Sequence, residues 1–255
     1  MHSRCSARLD RPSILRACTI GALGLALGLL LSACPSGTRS PAERSAGVPS
    51  VAKADLSGAV VYAVNAAESN VDVLVYRGGT LARLGHNHVM TSRTLQGRVW
   101  IHPTLARSGI ELSFPVNELV VDDPEARIRA GGAAKEFPPE IPQAHKDGTR
   151  TNMLRAEVLD GEKFATVKLQ SVNVSGTLQA PTITTRITIK DASRDVEVPA
   201  AVTIEGSRLT AQGEFDIDQT AFGIKPFSVG MGALEVKDGL HIKFRVVATS
   251  SASGT

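Results

Sequence analysis

Residues Leu209–Ala248 read LTAQGEFDIDQTAFGIKPFSVGMGALEVKDGLHIKFRVVA, and this stretch decides the fold class. In its first part Ala211, Gly213, Phe215 and Ile217 share one parity, while Gln212, Glu214 and Asp216 share the other. In its last part Ile242, Phe244 and Val246 alternate with His241, Lys243 and Arg245. A side-chain period of two marks strands with one dry and one wet face. The two therefore read as antiparallel strands around a long, glycine-punctuated connection. That connection holds Phe222, Ile224, Phe227 and Met231 among Gly223, Gly230 and Gly232. So much apolar surface is expected to be covered, as it would be if the sheet curled into a barrel and this segment crossed one end.

The same alternation recurs upstream. Val71, Val73 and Val75 share a face, as do Ile110, Leu112, Phe114 and Val116. Val167 with Leu169, and Ile187 with Ile189, continue the series. Pro115 predicts an edge or bulge, because proline cannot donate to a ladder. About eight to ten short strands separated by turns suit an antiparallel barrel or sandwich. Residues 122–149 break the pattern. A short helix is expected near Pro124–Arg129 and another over Arg150–Leu159, which together make one short helical insertion.

The chain has 255 residues with 28 basic and 25 acidic side chains. Residues 1–33 hold four of the arginines and one of the aspartates, so the remainder is formally neutral, with 24 of each sign. Formal neutrality argues against nucleic acid as a partner, which needs a basic face, and leaves room only for a small basic patch. The only cysteines are Cys5, Cys18 and Cys34, so nothing beyond residue 34 can form a disulfide or a thiolate site.

Residues 1–33 read as a secretory signal, with an arginine-bearing start and an apolar run from Ile20 to Leu31. The run ends in Leu31-Ser32-Ala33-Cys34, which resembles the bacterial lipobox. That resemblance implies cleavage before Cys34, acylation of Cys34, and anchoring to a membrane on the periplasmic side. With Pro35 after the cysteine, the outer membrane is the expected destination. Residues 34–55, rich in Pro, Ser, Ala and Gly, read as a flexible tether, and 56–250 as the folded domain.

Several segments together resemble the YceI-like family. They are Glu162–Ser171 (EKFATVKLQS), Thr182–Ala200 (TITTRITIKDASRDVEVPA) and Phe215–Gly223 (FDIDQTAFG). Ala165 stands where the family usually has proline, Thr185 and Asp191 where it has glycine, and Gln219 where it has arginine. The resemblance spans Tyr62–Ala248. It implies an all-β fold, an extended eight-stranded antiparallel lipocalin-like barrel. It also implies non-covalent binding of a long isoprenoid or similar amphiphilic lipid, with no catalytic residue and no required cofactor. Such a barrel has room for its own side chains or for one slender ligand. Ten buried methylenes would contribute about 8 kcal/mol of transfer energy before the loss of ligand freedom. The expected lining is Val73, Val75, Phe114, Val116, Val167, Leu169, Ile187, Ile189, Phe215, Phe244 and Val246. Phe222 and Phe227 are expected near the closing segment. A barrel simply filled by these side chains, serving as a structural envelope module, is the plainer alternative. A homodimer is compatible with either reading.

Gly85-His86-Asn87-His88 is the most suggestive local motif. On a strand, both imidazoles would share a face. One reading is a polar cluster that hydrogen-bonds a ligand headgroup or buried backbone. The other is a transition-metal or redox-linked site on His86 and His88, completed by His102, His145 or an acid. Motifs this short match by chance, which favours the first reading. The sequence has no nucleophile-elbow serine, phosphate loop or zinc-protease helix motif. Asp122-Asp123 and Asp216/Asp218 sit in turn or alternating contexts, where solvated or capping carboxylates are expected.

Overall fold

The computed structural model describes residues 54–131 and 136–251. The signal segment, Cys34 and all but the end of the tether lie outside the described residues. Thirteen strand segments pair antiparallel: β1 (Val60–Val64), β2 (Asn70–Gly78), β3 (His88–Ser92), β4 (Gln96–Ile101), β5 (Gly109–Pro115), β6 (Val120–Val121), β7 (Thr166–Gly176), β8 (Pro181–Ile189), β9 (Ala192–Pro199), β10 (Ala201–Glu205), β11 (Arg208–Asp218), β12 (Ser228–Val229) and β13 (Leu234–Thr249). Two helices, α1 (Pro124–Ala130) and α2 (Gln143–Met153), lie between β6 and β7.

The thirteen segments form eight bent runs. β13 pairs with both β1 and β2, which continue one another across the short turn at Ala66–Glu68. On their other side, β1 pairs β4 and β2 pairs β3, so β3 and β4 also form one run. β5 pairs β4 and β6 pairs β3, which makes a third bent run. β7 and β8 follow, and β9 joins β10 through the single residue Ala200. β10 pairs β11, and β11 returns to β13 along an unbroken register from Arg208↔Thr249 to Asp218↔Gly239. The ladder thus closes into an eight-run barrel, as expected, and the segment β12 is a short addition to β13. Gly213 lets the β9–β10 corner in. A Cβ there would meet the Pro199 carbonyl oxygen at 2.3 Å and the Phe244 ring at 2.8 Å.

The connection from β11 to β13 covers one end. Phe222 and Ile224 are buried in the core, and Phe227 is half-buried. Met231, expected to be covered as well, is fully exposed. It sits at φ 54° between Gly230 (φ 60°) and Gly232 (φ 87°), a left-handed tip that turns its side chain outward. This tip is tied to the loop after β2, where the Leu81 amide donates to the Ala233 carbonyl (2.7 Å). At Gly79 (φ 85°), a Cβ would stand 2.4 Å from the Gly232 carbonyl oxygen.

The insertion contains two helices, as expected, but the second has other bounds. α1 falls where expected, capped by the Asp123 side chain accepting from the Ala126 amide (3.0 Å), with Pro124 opening the helix and Gly131 (φ 71°) ending it. The second helix starts seven residues before the expected Arg150 and stops at Met153, not Leu159. Pro142 precedes it, and Gly148 inside it is tolerated at modest cost. Arg150 fastens it by donating to the carbonyls of Leu119 (2.7 Å) and Asn117.

Candidate functional site

The barrel encloses an apolar cavity of about 340 Å³. Val73, Val75, Phe114, Val167 and Leu169 line it, as expected from their parity, and so do Ile187, Ile189, Phe215, Phe244 and Val246. Phe227, His86 and His88 also reach it. Val116 and Phe222 do not. β5 ends at Pro115, so Val116 begins a turn and is buried in the core instead of continuing the alternation. Phe222 lies in the turn Thr220–Phe222 and packs into the same core. Thr185, one of the positions that depart from the family pattern, is buried and also lines the cavity.

Among the described residues, charged and imidazole side chains enter the lining only at one end: Arg77, His86, His88 and Glu235. The registers explain the grouping. Val75 pairs with His88 and Leu240, and Arg77 with Val236, so all four sit near the closing segment. Thr149 and Asn152 of α2 join them there. His145, Thr149 and Asn152 lie at i, i+4 and i+7 of that helix and so share a face. The His86 ring centroid is 5.3 Å from that of His145 and 6.3 Å from that of His88.

His86 lies just outside the strand, because β3 begins at His88. What orients the motif is the buried Asn87. Its Oδ1 accepts from the Arg77 amide (3.1 Å), and its Nδ2 donates to the Glu136 carbonyl (3.2 Å). The His88 Nδ1 lies 2.6 Å from Oδ2 of Asp122, a fully buried carboxylate. Its other oxygen accepts from the Val89 amide (3.0 Å) and from Arg127 Nη1, which also donates to the Asn87 carbonyl (3.0 Å). Arg127 is itself buried, with its guanidinium carbon 5.7 Å from the Phe137 ring centroid. On the cavity side, the Thr149 hydroxyl lies 3.4 Å from His88 Nε2.

Burial pushes the Asp122 carboxyl up. The hydrogen bond and charge of His88, the Val89 amide and the Arg127 charge outweigh it, and the group sits below its ordinary value. His86 is moved down, first by burial and then by the charges of His145, His88, Arg127 and Arg77. Asp122 also adopts φ 53°, a left-handed conformation that a non-glycine residue holds only when its surroundings enforce it.

Asp122 and Arg127 were not legible as site residues. Asp123 caps a helix as expected, but Asp122 is neither solvated nor capping. Nothing in its neighbourhood of sequence marks a buried ion pair. Thr149 was hidden by the misplaced start of α2. Once that helix begins at Gln143, its i, i+4, i+7 spacing with His145 and Asn152 is a readable signal. Of the other expected partners, His102 follows β4, accepts from the Thr104 amide (2.8 Å) and does not join the cluster. Among the described residues, no three His, Cys, Asp or Glu side chains are arranged to hold a metal ion.

A family model described as YceI-like domain matches residues 62–248. Among solved structures, BcnA of Burkholderia cenocepacia is similar with a TM-score of 0.53 at 17% identity, covering 73% of this chain and 99% of that one. A YceI protein of Campylobacter jejuni gives a TM-score of 0.44 at 10% identity, covering 62% and 81%. No curated protein matches the chain. At 17% identity the likeness to BcnA speaks for the fold alone.

Proposed function

This chain belongs to the YceI-like family, and we propose that its lipocalin-like barrel holds one long amphiphilic lipid, of isoprenoid type, without covalent chemistry. It would act as a carrier, buffer or sensor at the cell envelope, secreted and held to the periplasmic side of a membrane by acylated Cys34. The observation that carries this reading is the asymmetry of the cavity. Its walls are apolar along the barrel and, among the described residues, charged or imidazole groups enter at one end only. An apolar tail gains about 0.8 kcal/mol per buried methylene, while a polar head needs partners. The cavity meets both needs. A filled structural barrel requires no such space, and about 340 Å³ lies open within this one. The motif at the polar end is spent on orienting His88, which suits ligand recognition more than bond chemistry.

Native mass spectrometry of residues 56–255, purified without detergent and followed by organic extraction, tests the proposal. A co-purifying mass in the lipid range is the expected result. A bare protein that also refuses added isoprenoid would overturn it.

A further inference from the structure

The polar end of the cavity is built to read one kind of headgroup. Asp122 is ionised, and a carboxylate can only accept. The 2.6 Å contact with His88 Nδ1 therefore places a proton on Nδ1. With that proton on Nδ1, the neutral form of the ring presents the lone pair of Nε2 to the cavity. Turning the ring over would break the Asp122 contact, and Asp122 cannot follow, since Val89 and Arg127 hold its other oxygen. Among the described residues, Nε2 has one partner, the Thr149 hydroxyl at 3.4 Å, longer than an ordinary hydrogen bond. Behind the ring the charges of Arg127 and Asp122 pair with one another, while Arg77 lines the cavity and donates to the Gly85 carbonyl.

From this juxtaposition we infer that the headgroup is the neutral hydroxyl of a long-chain alcohol, donating to His88 Nε2 and accepting from Thr149. The inference rests on the container reading above and sharpens it. An ether can only accept, so it would leave Nε2 without a donor. A carboxylate likewise can only accept, so it too would leave Nε2 without a donor. One buried hydrogen bond of this kind corresponds to about a three- to tenfold difference in affinity.

The test measures binding of decanol, decyl methyl ether and decanoate to the chain from Asp55 onward, whose sheet closes on itself, at pH 8. Decanol should bind about three- to tenfold tighter than the ether, and decanoate weakest. In His88→Leu the preference for alcohol over ether should fall below twofold with ether binding retained. Thr149→Val, a milder change on a half-buried helix position, should reduce the preference without removing it. Long-range nitrogen–proton NMR of the unaltered protein reads the tautomer directly and does not depend on any variant folding. A proton on Nε2 of neutral His88, equal binding of alcohol and ether, or tightest binding of decanoate would each overturn the inference. If none of the three ligands binds, the container reading itself fails, and this inference with it.

Discussion

Strands β2 and β3 are covered by apolar packing on both faces, whereas β8 to β11 pack apolar side chains on one face and carry polar ones on the other. On β2, Val71, Val73 and Val75 face the cavity. Leu74, on the other face, packs with Val89, Ala126, Ala130 and Phe137 under the helical insertion. Asp72 lies on that covered face too, and is satisfied by Thr91 (2.8 Å) and by Arg129 through two contacts at 2.9 and 3.1 Å. On β8, Ile183, Thr185, Ile187 and Ile189 face the cavity, while Thr184, Arg186 and Thr188 face outward and pair with Glu197, Asp195 and Ser193 of β9. The covered half carries His88, Asp122 and Arg127. A buried ion pair needs walls on every side, and only this half supplies them. The open half is a wall of the container, and the covered half is also the frame of its polar end.

The largest effect should come from breaking that frame. Arg127→Met leaves the Asp122 carboxylate buried without its guanidinium and should cost about 3–5 kcal/mol in urea unfolding. Removing both charges, as in Asp122→Asn with Arg127→Met, should recover most of that loss, because buried ion pairs contribute little beyond their own desolvation. A double variant no more stable than the single one would mean that the pair is needed for folding and is not only an orienting device.

Next in size is a contrast between packing and lining. Leu74→Ala empties a fully packed position under α1 and should cost about 2–5 kcal/mol. Phe215→Ala removes a larger side chain, yet one that already borders open space with Phe244 as its ring neighbour at 6.3 Å. It should cost clearly less than the 3–5 kcal/mol of a packed phenylalanine, and weaken lipid retention more than stability. Equal losses at the two positions would mean that the cavity is collapsed in solution.

The contrast between the halves also explains what the sequence allowed to be read. In β8 and β11 a polar outer face leaves a clean period of two, so Ile187, Ile189 and Phe215 could be placed toward the cavity from parity alone. The ring closure of eight runs was implied by family resemblance, since no local pattern says that β9 and β10 bend at Ala200. In β2 the pattern is masked. Leu74 is apolar and Asp72 polar on one covered face, and only the later helix α1 makes sense of both. The same distance in sequence hides the site. His88 announces itself through its neighbour His86, but Asp122 meets it from 34 residues away and Arg127 from beyond a helix start. Val116 failed for a local reason, since Pro115 ends the strand there.

Acidification should act on the covered half, and more shallowly than the substitutions. His86 and Asp122 both have folded values below their ordinary ones, so the folded state binds fewer protons than the unfolded chain in each window. The stability from His86 is complete above about pH 6.5 and is lost as pH falls through its lower folded value. That from Asp122 is complete above about pH 3.9 and is lost as pH falls below it. Melting temperatures taken from pH 8 to pH 3 should therefore decline in two steps. His86→Asn should remove the upper step only. A midpoint that rises on going from pH 8 to pH 5 would contradict the assignment.

The smallest expected effect lies on the open half and serves as the control for the first. Arg186 and Asp195 form a two-point ion pair across β8 and β9 (2.7 and 2.8 Å), a geometry as good as any in the covered half. Asp195 is more than a third exposed, however, so water can take over what either partner loses. The hydrogen bond from Arg186 and its charge hold the Asp195 carboxyl below its ordinary value against a smaller opposing effect of burial. Solvent screening leaves little of that as stability. Asp195→Asn should change unfolding free energy by no more than about 1 kcal/mol and leave the alcohol preference untouched. If it matched Arg127→Met, geometry rather than burial would set the worth of an ion pair in this barrel, and the covered half would lose its claim to be the frame.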